Sequence, residues 1–167
     1  MMGAGGRLGA ARKTFHHHGL ADMTKRVMRE DCNCFALRQA SRFVTQLYEG
    51  YLSQADLTAA QFAILSRLSR TPGVTVLELA DDLVMDRTTV VRALKPLQRD
   101  ALVLASAAPH DARALTFRLS ASGRRRFEKA YALWVDAQQA FEQYLQRDHA
   151  KALRSTLFAL TKAGTAQ

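Results

Sequence analysis

The apolar positions of this chain fall into short blocks whose spacing changes along its length. From Cys34 to about Ser53, Leu37, Ala40, Val44, Leu47, Tyr48 and Tyr51 recur every three or four residues, which is one face of an amphipathic helix. A polar break at 53–56 leads to Leu57 and Thr58. Phe62, Ala63, Ile64, Leu65 and Leu68 then mark a second helix that ends near Thr71-Pro72-Gly73. Thr58 and Gln61 have the spacing of an N-cap and the third helical residue in a capping box. Thr75 and Glu78 repeat that spacing before a short third helix carrying Val76, Leu79, Ala80 and Leu83. Val84 and Met85 form a turn to Asp86, the N-cap of a fourth helix with Val90, Ala93, Leu94 and Leu97 inward and Arg87, Arg92, Lys95 and Arg99 outward. Pro96 has no N–H for the Arg92 carbonyl, which predicts a bend or an early end there.

Beyond this point the period changes. Residues 101–107 and 113–119 are two runs of strand length joined by a polar turn at 108–112 that contains Pro109, and together they predict a hairpin. Ser120 or Ser122 caps a long fifth helix with core positions Phe127, Tyr131, Trp134, Gln138, Phe141 and Leu145. A sixth helix runs from about Asp148 through Leu153, Leu157 and Leu160. Two short helices joined by a tight turn form a helix-turn-helix. The expected fold is therefore mainly α with a small β-hairpin wing: a winged helix-turn-helix over 57–120, flanked by dimerisation helices at 34–53 and 121–163. Apolar stripes on flanking helices that lack a partner in so small a core imply a second copy, hence a twofold homodimer. The folded domain spans 32–167. Residues 1–31 read as a disordered basic arm, with five glycines and three consecutive histidines and no apolar stretch suited to secretion. Met23 and Met28 also allow a start further along the chain.

Charge narrows the function. Twenty-four Lys and Arg against fifteen Asp and Glu give +9, which points to an anionic partner. The excess lies both in the N-terminal arm and across the helix-turn-helix and hairpin. Cys32 and Cys34, the two cysteines, are too close together to build a secreted-type disulfide framework, so a reducing cytoplasm is the expected location. No apolar run is long enough to span a bilayer, so no membrane partner is expected. A phosphate-binding glycine loop, a His-Glu-x-x-His zinc motif and a nucleophile elbow are all missing from the sequence. The chain is therefore not expected to be an enzyme, nor to carry a cofactor or metal. A helical protein-interaction module would account for the aromatic stripe of the fifth helix, but it would leave the basic fourth helix and the wing without a purpose.

The second helix of such a motif presents its N-terminal part to the major groove, where Arg donates two bonds to guanine and Thr meets bases, methyls or phosphates. Arg87, Thr88, Thr89, Arg92 and Lys95 hold those exposed positions; for Thr88 and Thr89 simple first-turn capping is the alternative. Thr75 either offers backbone amides to a phosphate or serves its capping box alone. Arg113 near the hairpin tip suits the minor groove. DNA would repel Asp111, so its role is to hold Arg113 or the turn, unless it is merely a solvated carboxylate. Arg124, Arg125 and Arg126 read as a solvated helix face. The expected partner is a pseudo-palindromic operator in double-stranded DNA.

The stretches LTAAQFAILSRL, TVLELADDLVMDRTTVVRALKPLQRDALV and HDARALTFRLSASGRR follow one another in the order and spacing of the MarR family of bacterial transcription regulators, which the chain resembles over residues 34–163. The Asp111-x-Arg113 pair, then a strand and a Ser-x-x-Gly-like helix start, is the most recognisable local pattern. The resemblance implies a repressor released by a small, often aromatic or phenolic, effector held between the dimer helices and the DNA-binding part. Arg38, Arg42 and Tyr48 are candidate polar groups for that pocket, or else surface and packing residues. Cys34-Phe35, with Tyr48 fourteen residues on, resembles more weakly the organic-hydroperoxide-sensing branch, in which a cysteine at this helix start is oxidised. Arg38 and Ala59 stand where that branch's assisting tyrosines are expected. A thiol near a helix N-terminus gains thiolate character, so the alternative function is redox sensing through Cys34. Cys32 either forms a disulfide between subunits or completes a pair of reduced thiols.

Overall fold

The computed structural model describes residues 31–108 and 111–164, without the side chains of 111–113, 163 and 164. Apart from Asp31, the expected basic arm lies outside the described residues. The chain divides into two units between Ser41 and Arg42, within the first helix.

Helix α1 spans Asn33–Leu52. In the first unit, Cys32 sits at its N-cap. Ala36 N–H donates to the Cys32 carbonyl (3.0 Å) and Phe35 N–H donates to Cys32 Sγ (3.5 Å). Leu37 is exposed.

The second unit begins inside α1. A short 3-10 turn, Ser53–Ala55, leads to α2, Ala59–Arg70, then to β1, Val74–Thr75, and α3, Val76–Leu83. Both capping boxes form. Thr58 accepts from Gln61 N–H while its own N–H donates to Gln61 Oε1 (2.9 Å), and Thr75 and Glu78 make the reciprocal pair at 3.2 and 2.7 Å. Helix α4, Arg87–Arg99, starts at Asp86. Val84, in the turn before it, adopts the left-handed region at φ 51°. That conformation is costly for a β-branched residue, yet it lets Val84 and Met85 N–H bond back to Ala80 O.

The hairpin consists of β2, Val103–Ala108, and β3, Asp111–Leu119, with α5, Ala121–Leu145, and α6, Arg147–Gly164, after it. The sheet order is β1-β3-β2, all antiparallel. Gly73, at φ 83°, makes the bend that brings its N–H to Phe117 O (2.8 Å) and β1 onto β3.

Several expectations change. Strand β1 was not anticipated, because two residues carry no period and only their pairing with β3 defines them. Pro96 does not end α4 early; the helix runs to Arg99, and the backbone bonding continues past the proline, with Asp100 N–H donating to Pro96 O (3.0 Å). The strands reach beyond 107 and 113: β2 ends at Ala108 and β3 starts at Asp111, with a register irregularity between Ala107 and Ala108. Ser120, not Ser122, caps α5 by accepting from Gly123 N–H (2.9 Å). The fully buried residues of α5 are Gly123, Ala130 and Ala137; Tyr131 is half exposed. Small residues let α5 approach closely, and the aromatic positions flank that contact.

Leu52, Ile64, Leu65, Leu68, Leu79, Val90, Leu94 and Leu97 form the centre of the core, with the wing adding Val103, Phe117 and Leu119. Phe127 and Trp134 stack on Phe62, at 5.6 and 6.1 Å between ring centroids. The helix-turn-helix, wing and start of α5 thus share one hydrophobic centre, which fixes α4 relative to the wing.

Candidate nucleic-acid interface

Val90, Leu94 and Leu97 anchor α4 to the core and turn its opposite face to solvent, where Arg87, Thr88, Thr89, Arg92 and Lys95 are all exposed. The carboxylate of Asp86 starts this face. It accepts Thr89 N–H (2.8 Å) and the Thr89 hydroxyl (2.5 Å), which hold its carboxyl below the ordinary value. Thr89 is thereby engaged by the cap, while Thr88 remains on the exposed face. Thr75, half-buried at the start of α3, has its N–H and hydroxyl engaged by Glu78, whose carboxyl is lowered first by the backbone bond and then by the hydroxyl.

Thr75, Arg87, Val91, Lys95 and Leu115 line one groove of about 500 Å³ between α3, α4 and β3. Its floor and rim are apolar as well as cationic: Leu77, Val91 and Leu115 are 47%, 39% and 52% exposed. The side chains of Asp111 and Arg113 lie outside the described residues, although β3 carries their backbone toward the hairpin turn. Val91 was missed because sequence reading took only polar outward positions of α4 as candidates; its i+4 spacing from Arg87 and to Lys95 was the available signal.

A second cavity, about 340 Å³, is lined by Tyr48, Leu52, Phe62, Arg70, Trp134 and, at the end of α3, Leu83, among others. The Tyr48 hydroxyl donates to Gln138 Oε1, and burial, opposed by nearby Arg154 and reinforced by Glu142, pushes the phenol above its ordinary value. Tyr48 therefore stays a neutral donor near pH 7. Arg42 is exposed and is not among the lining residues, whereas Arg70, which sequence reading did not select, is. In the first unit Arg38 and Cys34 are exposed and Cys32 is half-buried. Cys32, not Cys34, holds the N-cap position.

The arginine run divides as well. Arg124 and Arg125 are exposed, but Arg126 donates to Ala55 O (2.9 Å) and Asp56 Oδ2 (3.1 Å), and Lys129 donates to Gln54 O (2.6 Å). These bonds tie α5 to the turn between α1 and α2. Arg67 of α2 pairs with Asp82 of α3, which bonds α2 to the helix-turn-helix. No helix among the described residues is long and apolar enough to cross a membrane.

Comparison with known proteins agrees with this geometry. Residues 55–114 match the family model described as MarR family. The Mycobacterium tuberculosis transcriptional regulator MosR, solved in complex with DNA, is 32% identical, with a TM-score of 0.71 over 81% of this chain and 97% of that one. The transcriptional repressor CouR, solved on a 23-mer DNA duplex, is 26% identical, with a TM-score of 0.73 over 81% and 96% of the two chains. CouR has also been solved bound to p-coumaroyl-CoA (27% identity, TM-score 0.70, covering 78% of this chain and 91% of that one). The organic hydroperoxide resistance transcriptional regulator of Bacillus subtilis strain 168 is 28% identical over 97 residues, which are 58% of this chain and 66% of that protein. With its winged helix-turn-helix, its basic recognition face and these relatives, the chain belongs to the MarR family of DNA-binding transcriptional regulators.

Proposed function

We propose that the protein is a repressor that binds a pseudo-palindromic operator as a homodimer and is released when a small aromatic effector fills the cavity beside Trp134. In this reading Arg87, Thr88, Arg92 and Lys95 meet the major groove, Arg113, held by Asp111, meets the minor groove, and Thr75 and Thr89 serve mainly to start their helices. The observation that carries it is the position of the cavity. Leu83, the last residue of α3, shares the lining with Tyr48 and Trp134. An occupant there touches the helix-turn-helix itself, so it will bind one placement of α3 better than another and shift the population accordingly.

The dimer reading rests on apolar surface that the protomer leaves uncovered. In the second unit Phe43 and Tyr144 pack edge-on at 5.4 Å yet are 47% and 65% exposed, and Phe158 and Leu160 of α6 are more than half exposed. Phe127 and Trp134, expected to contribute to a dimer stripe, are instead spent on Phe62 within the protomer.

Trp134 is the sole tryptophan, so its fluorescence reports occupancy of the cavity. The test titrates phenolic and aromatic carboxylic acids while following Trp134 emission and DNA anisotropy together. A compound that quenches Trp134 should release DNA over the same concentration range, and Ala63→Leu, which fills the cavity, should abolish both responses. Quenching with unchanged DNA affinity would refute effector release.

A second reading, redox control, is favoured by the exposed thiol of Cys34 in the first turn of α1 and by the likeness to the Bacillus subtilis hydroperoxide resistance regulator. Mild peroxide should then weaken DNA binding of the parent and leave Cys34→Ser unaffected. Equal loss in both would remove it.

A further inference from the structure

Five residues are exposed in the first two turns of α4, and four of them, Arg87, Thr88, Thr89 and Arg92, carry a charge or a hydroxyl. The fifth is Val91. Burial does not explain it, since it is 39% exposed while its neighbours Val90 and Leu94 supply the core contact. Helix propensity does not explain it either, because a β-branched residue is a weaker helix former than the residues usual at exposed positions. Val91 stands between Arg87 and Lys95 at i−4 and i+4, so the three form one row along the helix, with cations on both sides of an apolar centre. The row borders the groove in which Leu77 and Leu115 are also exposed.

A recognition helix meets base edges with its N-terminal turns. Among the groups that the major groove presents there, the C5 methyl of thymine is the apolar one. We propose that Val91 is a specificity-determining residue that reads a thymine methyl in each half-site, with Arg87 and Lys95 fixing the helix on phosphate or guanine to either side. Thr89, whose hydroxyl and N–H are held by Asp86, does not compete for that contact. The inference rests on the DNA-binding role of α4 proposed above and adds which base the apolar centre selects.

The test starts by selecting duplexes from a random pool with the intact protein. Each thymine of the selected duplex is then replaced, symmetrically in both half-sites, by deoxyuridine, which lacks only the methyl. The parent should lose affinity at one symmetry-related position, by roughly fourfold for each methyl removed. Val91→Ala should bind the unmodified duplex more weakly by a similar factor, be indifferent to deoxyuridine at that position, and melt at the same temperature as the parent. A selected duplex indifferent to deoxyuridine throughout overturns the inference, as does a penalty that persists in Val91→Ala. A lowered melting temperature with uniform loss across all duplexes overturns it too, because Val91 would then be closing the groove between Leu77 and Leu115. If the parent selects no sequence at all, the interface reading falls and the inference with it, an outcome distinct from the other three.

Discussion

Adding one methyl group at Gly123 should cost more stability than removing most side chains on the surface. Gly123 is buried in the first turn of α5, and a Cβ there would lie 2.0 Å from Leu102 O, 2.9 Å from Leu102 C and 3.2 Å from Leu102 Cα. All three atoms are backbone, so no side chain can rotate away. An unstrained contact needs roughly 3.5 Å, so α5 and the base of the wing must separate by more than about 1 Å. Leu102 O also accepts Ser120 N–H (3.0 Å), and Ala101 O accepts the Ser120 hydroxyl (2.7 Å), so the separation strains both bonds. Overpacking of this kind costs about 3 kcal/mol, and the better helix propensity of alanine returns up to about 1 kcal/mol. Gly123→Ala should therefore lose about 2 kcal/mol, a fall in melting temperature of roughly 6–8 °C for a domain of this size. Gly50 is the control. It also lies in a helix but has no atom within 4 Å of the added Cβ, so Gly50→Ala should gain about 0.5–1 kcal/mol. Urea denaturation with a common slope measures both. A Gly123→Ala protein as stable as the parent would refute the close approach of α5 to Leu102.

Other outcomes follow from the helix-turn-helix. Val84→Gly should raise stability by about 1 kcal/mol in the same assay, because it removes a β-branched side chain from φ 51° where 62% of the residue is exposed. Glu78 and Asp86 have folded-state values below their ordinary ones, so their caps contribute stability above the ordinary carboxylate range and lose it as pH falls through the lowered values. Between neutrality and about pH 3, the parent's melting temperature should therefore fall more steeply than that of the Glu78→Gln, Asp86→Asn double variant.

Local pairing made much of this fold legible. The two capping boxes and the Asp86 cap each lie within four residues, and their partners are fixed by helix geometry whatever the tertiary contacts. The hairpin was legible as two runs of strand length joined by a polar turn with a proline. What stayed hidden depends on distant partners: β1 exists through β3, and the burial of Ala130 and Ala137 instead of Tyr131 depends on how near α5 comes to the core. The Ser-x-x-Gly pattern at 120–123 was visible, but its reason is the backbone of Leu102, eighteen or more residues upstream. In the candidate site, charge pointed to Arg87, Arg92 and Lys95 directly. Arg70 and Trp134 beside the cavity gave no such signal, because helical periodicity marks which face is inward and not where that face leaves a gap.

The most direct test of the account is sedimentation and footprinting of the protein on its selected duplex. Two protomers of 18.6 kDa should bind one duplex and protect half-sites about one helical turn apart. Arg87→Ala with Arg92→Ala should abolish protection without lowering the melting temperature. Unchanged protection by that variant, or one protomer per site, would contradict a dimeric regulator that reads DNA through α4.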